Sequence, residues 1–467
     1  MAELIAVVDI GKSNIRFSFM DEDLKTHHRA ALESRVVETD LYPCYPVDEI
    51  FAWIIEELKS ISQRHVIQSI VVITHGAAIA LTDGNELILP VMDYEFTGPE
   101  EYSSEYDLLA ADFGTTGSPR LPAGLNLGRQ LYWQQKKFPQ QFSKGSCWLM
   151  YPQYWAWRLS GIASTEVTSL GCHTDLWQAA KDKYSGFALR QGWDKHFPPF
   201  RKAWDELGKI RPEIVLQTGI SPDCVVTCGV HDSNASFILQ RSVLHQDFVL
   251  LSTGTWLVGM SSSKNNQYLS EHQDTLYLTS AWAKPIPSFR FAAGKEYAEI
   301  CGSEGLDKQP SLADVQILIA AGVYAYPAFS MLGGPFAGTP GKFSEKITTP
   351  TKRNALAALY CALMTDYCLE LMAVDGDIVI EGPFAGNPLY CRLLASLIPA
   401  RNVLIAPYEN SIVSAGVFLC THELVDWGET EYRCVRAKKI HGLRDYKQAW
   451  RATCRGLKNS NASAEAK

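Results

Sequence analysis

Short apolar runs alternate along this chain with segments whose apolar residues recur at helical spacing. Residues 4–8 form a β-branched run that ends in a polar turn, residues 14–19 follow as a returning strand, and residues 69–73 form another buried run. Between these strands, apolar residues lie on one helical face at Ile50, Ile54, Leu58 and Ile61. The same pattern predicts strands at 225–230, 248–251, 378–380 and 403–405, and helices at 354–373 and 389–397. It indicates an α/β architecture in both halves of the chain.

The length of the chain predicts two domains. At 467 residues it exceeds what one hydrophobic core usually supports. Each half begins with a strand that runs into a small polar turn, so two related lobes are expected. The polar segment 240–246 is the predicted boundary, which gives domains over residues 1–243 and 244–457 and a flexible tail over 458–467.

The composition of the chain argues against two classes of binding partner, nucleic acids and membranes. The net charge of −8 argues against a basic stripe for nucleic acid. We find no run of about 18 uncharged apolar residues, since even 356–373 carries Asp366 and Glu370, and the N-terminus lacks the cationic segment of a signal peptide. We therefore expect no membrane partner and a cytoplasmic location. The twelve cysteines lack paired metal-ligand spacing and are interpreted as reduced, mostly buried thiols.

Two strands end in turns of small and polar residues, at 9–14 and at 252–255. Backbone N–H groups converge on phosphate oxygens at such turns, and one turn in each half suits a nucleotide held between two lobes. This is the arrangement of actin-like (ribonuclease H-like) ATPases, so the expected fold is α/β with two such lobes and an interdomain cleft. A carboxylate beside phosphates needs a divalent cation, which predicts Mg²⁺ at Asp9. Asp9 could equally be a turn-forming residue at a strand end.

Asp232 is the candidate general base. A hydroxyl that accepts a phosphoryl group has to lose its proton to a nearby base. Asp232 follows the buried strand 225–230 and precedes small residues that could open a helix. It could therefore also be an N-cap residue, which would stabilise the helix by about 1 kcal/mol. Composition alone favours the N-cap.

Taken together, these segments resemble the FGGY carbohydrate kinases, nearest the rhamnulokinase and fuculokinase branch, from Val8 to about Leu419. The phosphate-binding D-x-G-x-S turn of that family resembles 9–16, which implies that the ATP phosphates are bound by Gly11, Lys12, Ser13, Asn14 and Arg16. A second phosphate motif resembles 251–256 and implies contacts from Thr253, Gly254 and Thr255. The segment with the catalytic aspartate resembles 230–233, which implies that Asp232 is the base and that His231, Asp232 and Ser233 contact the sugar.

The resemblance also implies residues for the sugar and for adenosine. The substrate loop of the family resembles 73–84 and the next segment resembles 90–94, which implies sugar contacts from His75, Gly76 and Asp93. The turn against adenosine resembles 381–390 and implies contacts from Gly382, Phe384, Gly386 and Asn387. Pro383 and Phe384 stand where the family has glycines, so Phe384 stacks on the base, or the altered turn changes nucleotide preference or weakens ATP binding. A second family signature, expected near 331–343, is distorted into a glycine- and proline-rich segment.

The function that this resemblance implies is transfer of the γ-phosphoryl group of ATP to a hydroxyl of a small sugar. The resemblance to the rhamnulokinase and fuculokinase branch implies that the sugar is a ketose or 6-deoxyketose such as L-fuculose or L-rhamnulose, with Mg²⁺ as the cation. The alternative is a sugar-binding or regulatory protein with a kinase fold and no catalysis. A homodimer is the default expectation for a soluble enzyme.

Overall fold

The computed structural model describes residues 3–263, 269–330, 333–407, 411–421 and 432–465. Within these residues the strands are β1 Glu3–Ile10, β2 Asn14–Met20, β3 Thr26–Glu33, β4 Val66–Thr74, β5 Ile79–Thr82, β6 Cys147–Met150, β7 Trp177–Gln178, β8 Lys183–Tyr184, β9 Glu206–Lys209, β10 Val225–Thr227, β11 Val230–His231, β12 Phe248–Thr253, β13 Leu257–Ser261, β14 Thr275–Thr279, β15 Pro285–Phe291, β16 Ala325–Tyr326, β17 Lys342–Phe343, β18 Asp377–Glu381, β19 Val403–Ile405 and β20 Arg433–Cys434.

The α-helices of the same residues include both long core helices and single turns. They are α1 Val47–Ser62, α2 Ser103–Leu109, α3 Phe113–Thr116, α4 Leu127–Lys137, α5 Pro139–Phe142, α6 Tyr151–Ser160, α7 Val167–Leu170, α8 Gly186–Gln191, α9 Pro212–Thr218, α10 Asp232–Val243, α11 Ala293–Cys301, α12 Ser303–Leu306, α13 Leu312–Ala321, α14 Pro350–Met372, α15 Pro388–Leu397, α16 Ser411–Thr421 and α17 Leu443–Glu465.

The chain folds into two compact units. The first contains residues 3–243, 277–286 and α16, and the second contains the remaining described residues. Two segments that the sequence analysis assigns to the second domain, 277–286 and α16, therefore pack in the first unit. For α16 the physical reason is close packing, because a Cβ on Gly416 would lie 2.5 Å from Cγ1 of Val7 in β1. The backbone of 458–465, expected to be a flexible tail, continues α17.

The first unit is built on a mixed sheet in the order β3-β2-β1-β4-β10-β9, with β11 beside β4. β1 runs parallel to β4 and antiparallel to β2, which confirms the predicted strand and its return. β1 is buried over residues 4–10 because α1, α6 and α16 cover it, which explains its nearly continuous apolar sequence. The parallel strands β1, β4 and β11 end at the same edge of the sheet, and each end carries predicted site residues.

The second unit is built on a sheet in the order β14-β15-β13-β12-β18-β19-β20. Its central strands β12, β18 and β19 are parallel, as expected of an α/β lobe. The predicted elements at 354–373, 378–380, 389–397 and 403–405 are confirmed as α14, β18, α15 and β19. Their apolar residues form one core with those of α11 and α13.

Among the described residues one helix, α14, is long and apolar enough to cross a membrane by length and composition alone. Asp366 and Glu370 interrupt its apolar run, so the sequence alone predicts no membrane-spanning segment there. Within the second unit, 83% of the apolar stretch of this helix is buried. Its Asp366 forms ion pairs with two residues of α17, Lys447 at 2.7 Å and Arg451 at 2.6 Å. The helix is the centre of the core of this unit.

Glu296 on α11 is a buried carboxyl group in that core. Its side chain accepts hydrogen bonds from the hydroxyl of Tyr360 and from the backbone N–H of Phe329, the latter at 3.2 Å. Burial raises the pKa of Glu296 to about 7, and the two hydrogen bonds oppose this shift only in part. The carboxyl group therefore keeps its proton in the folded protein at pH values where it loses it in the unfolded chain.

The variant Glu296→Gln should remove a pH dependence from the stability of the protein. The folded chain binds an extra proton between the ordinary pKa of 4.5 and the folded value of about 7. This contribution is complete below the ordinary pKa and is lost as the pH rises through 7, because the unfolded state binds fewer protons there. We expect the free energy of unfolding of wild type relative to the variant to fall by up to about 3 kcal/mol over this window. Denaturant titrations at a series of pH values measure it, and a pH-independent difference would contradict the prediction.

Candidate functional site

The turn between β1 and β2 is the first part of the candidate site. Asp9 lies near the end of β1 opposite Arg16 of β2, and the guanidinium lies 3.6 Å from the carboxylate. The backbone N–H of Gly11 donates to the carbonyl of Asn14 at 3.0 Å, and a Cβ on Gly11 would lie 2.9 Å from that same oxygen. This close approach explains the glycine at the turn.

Asp9 is a carboxylic acid in an unfavourable place for a negative charge. Asp9 is 3% exposed, and this burial raises the pKa of its carboxyl group to about 7. The negative charge of Asp232 raises it further, while Arg16 lowers it. The described residues contain no group of three or more metal-ligating side chains, so the predicted metal role of Asp9 stays a prediction.

Asp232 begins α10 directly after His231 of β11. Its Oδ1 accepts from the backbone N–H of Ser233 at 2.6 Å and from the Ser233 hydroxyl at 3.3 Å, and it lies 3.2 Å from Nε2 of His231. An N-cap carboxylate accepts from an N–H two or three positions further along the chain. The contacts of Asp232 are to its immediate neighbours instead, so the geometry does not support the N-cap interpretation.

His75 and Gly76 follow β4, beside β11. The ring of His75 is enclosed by Tyr45, Tyr94 and Tyr151, with centroids 5.1, 5.4 and 5.2 Å away. Burial lowers the pKa of His75 to about 4, so the ring is neutral near pH 7. Nδ1 bonds to the carbonyl of Gly76 at 2.8 Å, and Nε2 is buried with no hydrogen-bond partner among the described residues. Nε2 is therefore a polar atom that a ligand could satisfy.

Gly76 lies against the ring of His231. A Cβ at this position would be 2.9 Å from Nε2 of His231, so glycine permits the contact. The structure thus brings together predicted site residues at the ends of the parallel strands β1, β4 and β11.

Lys12 and Asp93, predicted for phosphate and sugar respectively, form an ion pair with each other. Asp93 also accepts from the hydroxyl of Tyr45 at 3.2 Å, and Lys12 lies over the ring of Tyr94 at 4.7 Å. In this arrangement the ammonium group of Lys12 is held by the carboxylate. Binding of a phosphate by Lys12 would require the pair to separate.

Sequence reasoning missed a buried group that supports His231. Glu166 accepts from the backbone N–H of Thr168 at 2.9 Å and from its hydroxyl, and the same hydroxyl accepts from the N–H of His231 at 3.1 Å. Cys172 lies 3.8 Å from Nε2 of His231. Periodicity carries no signal for these contacts because they depend on tertiary packing.

The second unit contains the other predicted polar turn, between β12 and β13. The N–H of Gly254 donates to the carbonyl of Trp256 at 2.8 Å, and the carbonyl of Thr255 accepts from Gly294 of α11 at 3.1 Å. A Cβ on Gly294 would lie 2.4 Å from the carbonyl of Gly254, so the turn and α11 are in close contact. The side chain of Thr255 is exposed and that of Thr253 is buried.

Thr253 joins this turn to the one after β18. Its hydroxyl donates to the carbonyl of Glu381 and accepts from the N–H of Phe384 at 3.1 Å. Gly382 has φ +75° and ψ −164°, a conformation available essentially only to glycine. The two predicted nucleotide turns of this unit are therefore built against each other.

Phe384 does not have the geometry for stacking on a base. It is 7% exposed, and its ring meets those of Tyr390 and Tyr297 edge to face at 4.8 and 5.7 Å. The ring fills the core instead. Asn387 caps α15 by accepting from the N–H of Tyr390 at 3.0 Å, whereas Gly386 is exposed with open space beside its Cα.

The glycine-rich segment near 331–343 has a structural role in its described part; Met331 and Leu332 lie outside the described residues. Asp274 accepts from Arg290 at 2.9 Å and from the N–H of Gly334 at 2.7 Å, and a Cβ on Gly333 would lie 2.6 Å from the same carboxylate. The glycines therefore let the backbone reach a buried ion pair.

Residues 245–428 match the family model described as "Carbohydrate kinase FGGY, C-terminal domain". The L-fuculokinase of Haemophilus influenzae is 26% identical over 277 residues, which cover 56% of this chain and 57% of that protein. The rhamnulokinase of Halalkalibacterium halodurans is 26% identical over 268 residues, covering 55% and 56%. The chain thus matches a little over half the length of these curated relatives.

Solved structures match over nearly the whole chain. A carbohydrate kinase from Novosphingobium aromaticivorans is 32% identical, with a TM-score of 0.86 over 96% of this chain and 100% of that one. A xylulose kinase from Lactobacillus acidophilus gives a TM-score of 0.82 over 98% of each chain at 15% identity, which is a likeness of fold.

Proposed function

This chain belongs to the FGGY carbohydrate kinase family, near its L-fuculokinase and rhamnulokinase branch, and from that premise we propose that it transfers the γ-phosphoryl group of ATP to a hydroxyl of a small sugar. The observation that carries the proposal is the position of Asp232. Its carboxylate is partly exposed, at 27%, beside His231 and Ser233 and within the field of Asp9. A base has to reach a substrate hydroxyl, and a partly exposed carboxylate can do so.

In the proposed reaction Asp232 accepts the proton of the sugar hydroxyl that attacks the γ-phosphorus. Asp9 and Arg16 lie at the neighbouring strand end, and we propose that the turn between β1 and β2 binds the phosphate oxygens there. Catalysis of this type consists mainly of positioning and charge neutralisation. The residues of this unit would hold the hydroxyl and the phosphoryl group in line.

Asp9 is the residue that would hold Mg²⁺. A buried carboxylate beside a second carboxylate offers the hard oxygen ligands that this ion prefers, and Mg²⁺ is usually bound through one or two carboxylates and substrate phosphates. When bound, the ion would neutralise negative charge on the phosphates. Without the ion, the pKa of Asp9 is raised.

The turns of the second unit are proposed to bind the nucleotide. Thr253, Gly254 and Thr255 would contact phosphate, and Gly382, Gly386 and Asn387 would contact the nucleoside. Because Phe384 is buried, we propose that it supports the turn from within the core and does not touch the base.

The proposed substrate is a ketose or 6-deoxyketose of the L-fuculose or L-rhamnulose type, phosphorylated in the cytoplasm. Nε2 of His75, which has no hydrogen-bond partner among the described residues, offers a contact to a sugar hydroxyl, and three tyrosine rings pack around the imidazole. Relatives named L-fuculokinase and rhamnulokinase support this class.

The experiment that tests the proposal is a coupled ADP-release assay with Mg-ATP across a panel of ketoses, 6-deoxyketoses, aldoses and polyols. We expect one sugar of the 6-deoxyketose class to give turnover well above the rate without sugar. If no sugar gives turnover while calorimetry detects sugar binding, the catalytically impaired sugar-binding alternative replaces the kinase proposal.

A further inference from the structure

Lys12 lies in the turn between β1 and β2, but its ammonium group is held by the segment that follows Met92. It forms an ion pair with Asp93 and lies 3.6 Å from the carboxylate of Glu95. It also lies over the rings of Tyr94 and Tyr45, whose centroids are 4.7 and 5.4 Å away. The side chain is 21% exposed, so a ligand can reach the ammonium group in this position.

The carboxylate of Asp93 is fixed in place by its neighbours. The backbone N–H of Asp93 donates to the carbonyl of Pro43 at 3.0 Å. Three donors then meet one oxygen of the carboxylate, Oδ1, and they are the ammonium group of Lys12, the hydroxyl of Tyr45 at 3.2 Å and the N–H of Glu95 at 3.2 Å. These bonds leave Oδ2 of the carboxylate to accept from a ligand.

The two tyrosine rings beside Lys12 also flank His75, with centroids 5.1 Å away for Tyr45 and 5.4 Å away for Tyr94. Nδ1 of His75 bonds to the carbonyl of Gly76, so Nδ1 carries the proton and Nε2 of the neutral ring is an acceptor. Nε2 is buried without a hydrogen-bond partner among the described residues. A cationic donor and two acceptors are therefore gathered around the same pair of rings.

This combination of donor and acceptors suits the hydroxyl groups of a neutral sugar. A hydroxyl both accepts and donates, so it can accept from an ammonium group and donate to the carboxylate beside it. A phosphate oxygen carries negative charge, and near Lys12 it would be repelled by Asp93 and Glu95. The carboxylate of a sugar acid would be repelled in the same way.

We propose that Lys12 and Asp93 act as a pair that binds adjacent hydroxyl groups of a neutral sugar, and that the side chain of Lys12 does not bind the phosphates of ATP. The inference rests on the proposed function and assigns one residue of that site to the sugar. The ammonium group donates to one sugar oxygen, Oδ2 of Asp93 accepts from a sugar hydroxyl, and Nε2 of His75 accepts from another. The pair thereby selects neutral sugars against sugar acids.

Calorimetric titration of the full chain tests this assignment with Lys12→Met, which keeps the length of the stem and removes the ammonium group. The titrants are the neutral sugars of the panel above, with L-fuculose and L-rhamnulose first, then D-gluconate as a sugar acid and Mg-ATP. We expect the affinity of the variant for the neutral sugar to fall by about tenfold to a hundredfold, the usual loss for a hydrogen bond from a charged group, with Mg-ATP affinity unchanged.

Two further variants support this measurement. Lys209→Met is the matched control, because Lys209 is an exposed lysine of the same unit that pairs with Asp223 on the surface. It should change neither affinity. If Lys12→Met does not fold, Lys12→Gln, which keeps an N–H donor, should show a smaller loss for the sugar and again none for Mg-ATP.

The possible outcomes separate this inference from the proposed function. A folded Lys12 variant that binds the sugar as wild type does would overturn the inference. A loss of Mg-ATP affinity would make Lys12 a phosphate ligand and would also overturn it, as would wild-type binding of D-gluconate in place of a neutral sugar. If wild type binds a neutral sugar without turnover, the proposed transfer fails, and the titrations still decide the role of Lys12. If wild type binds no sugar of the panel, both fail.

The variant Asp93→Asn and the double variant Lys12→Met/Asp93→Asn test whether the two residues act as a pair. We expect each single variant to weaken sugar binding. The double variant should lose about as much affinity as the weaker-binding single variant, because either change already removes the pair. Additive losses would show that the two side chains bind the sugar independently, and would overturn the pair.

Discussion

The variant Asp232→Asn should lose sugar-dependent ADP release, with kcat lower by about 10²- to 10⁴-fold, the usual contribution of a general base. Asparagine keeps the shape of the side chain and can still accept hydrogen bonds from Ser233, so α10 should begin unchanged. What it loses is the capacity to take a proton from the sugar hydroxyl. Steady-state kinetics at saturating sugar and Mg-ATP measure the loss, and calorimetry with Mg-ATP should show the wild-type affinity.

The matched control for this prediction is Asp223→Asn. Asp223 is an exposed aspartate of the same unit, paired with Lys209 at 2.6 Å on the surface. An exposed ion pair contributes little to stability, so this variant should keep wild-type kcat and stability. Turnover retained by Asp232→Asn would mean that another group accepts the proton, and the assignment of Asp232 would be wrong.

The elements that position the site could be predicted because their signals are local. The β-branched run over 4–8 predicts β1 and the apolar run over 248–251 predicts β12, and each run is followed directly by its polar turn, so both turns follow from the apolar pattern. The long apolar helix α14 follows from composition in the same way. Even the position of His231 and Asp232 after a buried strand is visible in the sequence.

The contacts within the site could not be predicted, because they join residues far apart in the chain. Lys12 and Asp93 are assigned to different ligands by resemblance, yet they pair with each other, and nothing in either local sequence indicates this. The contact of Cys172 with His231 likewise appears only when α7 packs beside β11. The burial of Phe384 depends on Tyr297 from a different helix.

Replacing Gly382 with alanine should destabilise the second unit and weaken nucleotide binding. The residue has φ +75° and ψ −164°, and an added Cβ would lie 2.1 Å from the carbonyl oxygen of Thr253. That atom is backbone, so it cannot rotate away, and the turn after β18 would have to move off the end of β12. We expect a loss on the order of 3 kcal/mol in the free energy of unfolding. Because the bonds from Thr253 to Glu381 and Phe384 would be disturbed, ATP affinity should fall by about tenfold or more.

The neighbouring Gly386 supplies the control for this prediction, because it lies in the same turn and a Cβ there would meet nothing within 4 Å. Denaturant unfolding should give a near wild-type free energy for Gly386→Ala and a large loss for Gly382→Ala, and calorimetric titration with Mg-ATP should show a large loss of affinity for Gly382→Ala. If both alanine variants bind ATP as wild type does, the turn after β18 does not bind the nucleotide, and its glycine serves packing alone. Gly382→Ala could instead lose stability and still bind ATP with wild-type affinity when folded. The hydrogen bonds from Thr253 to Glu381 and Phe384 would then stabilise the fold without shaping the nucleotide site.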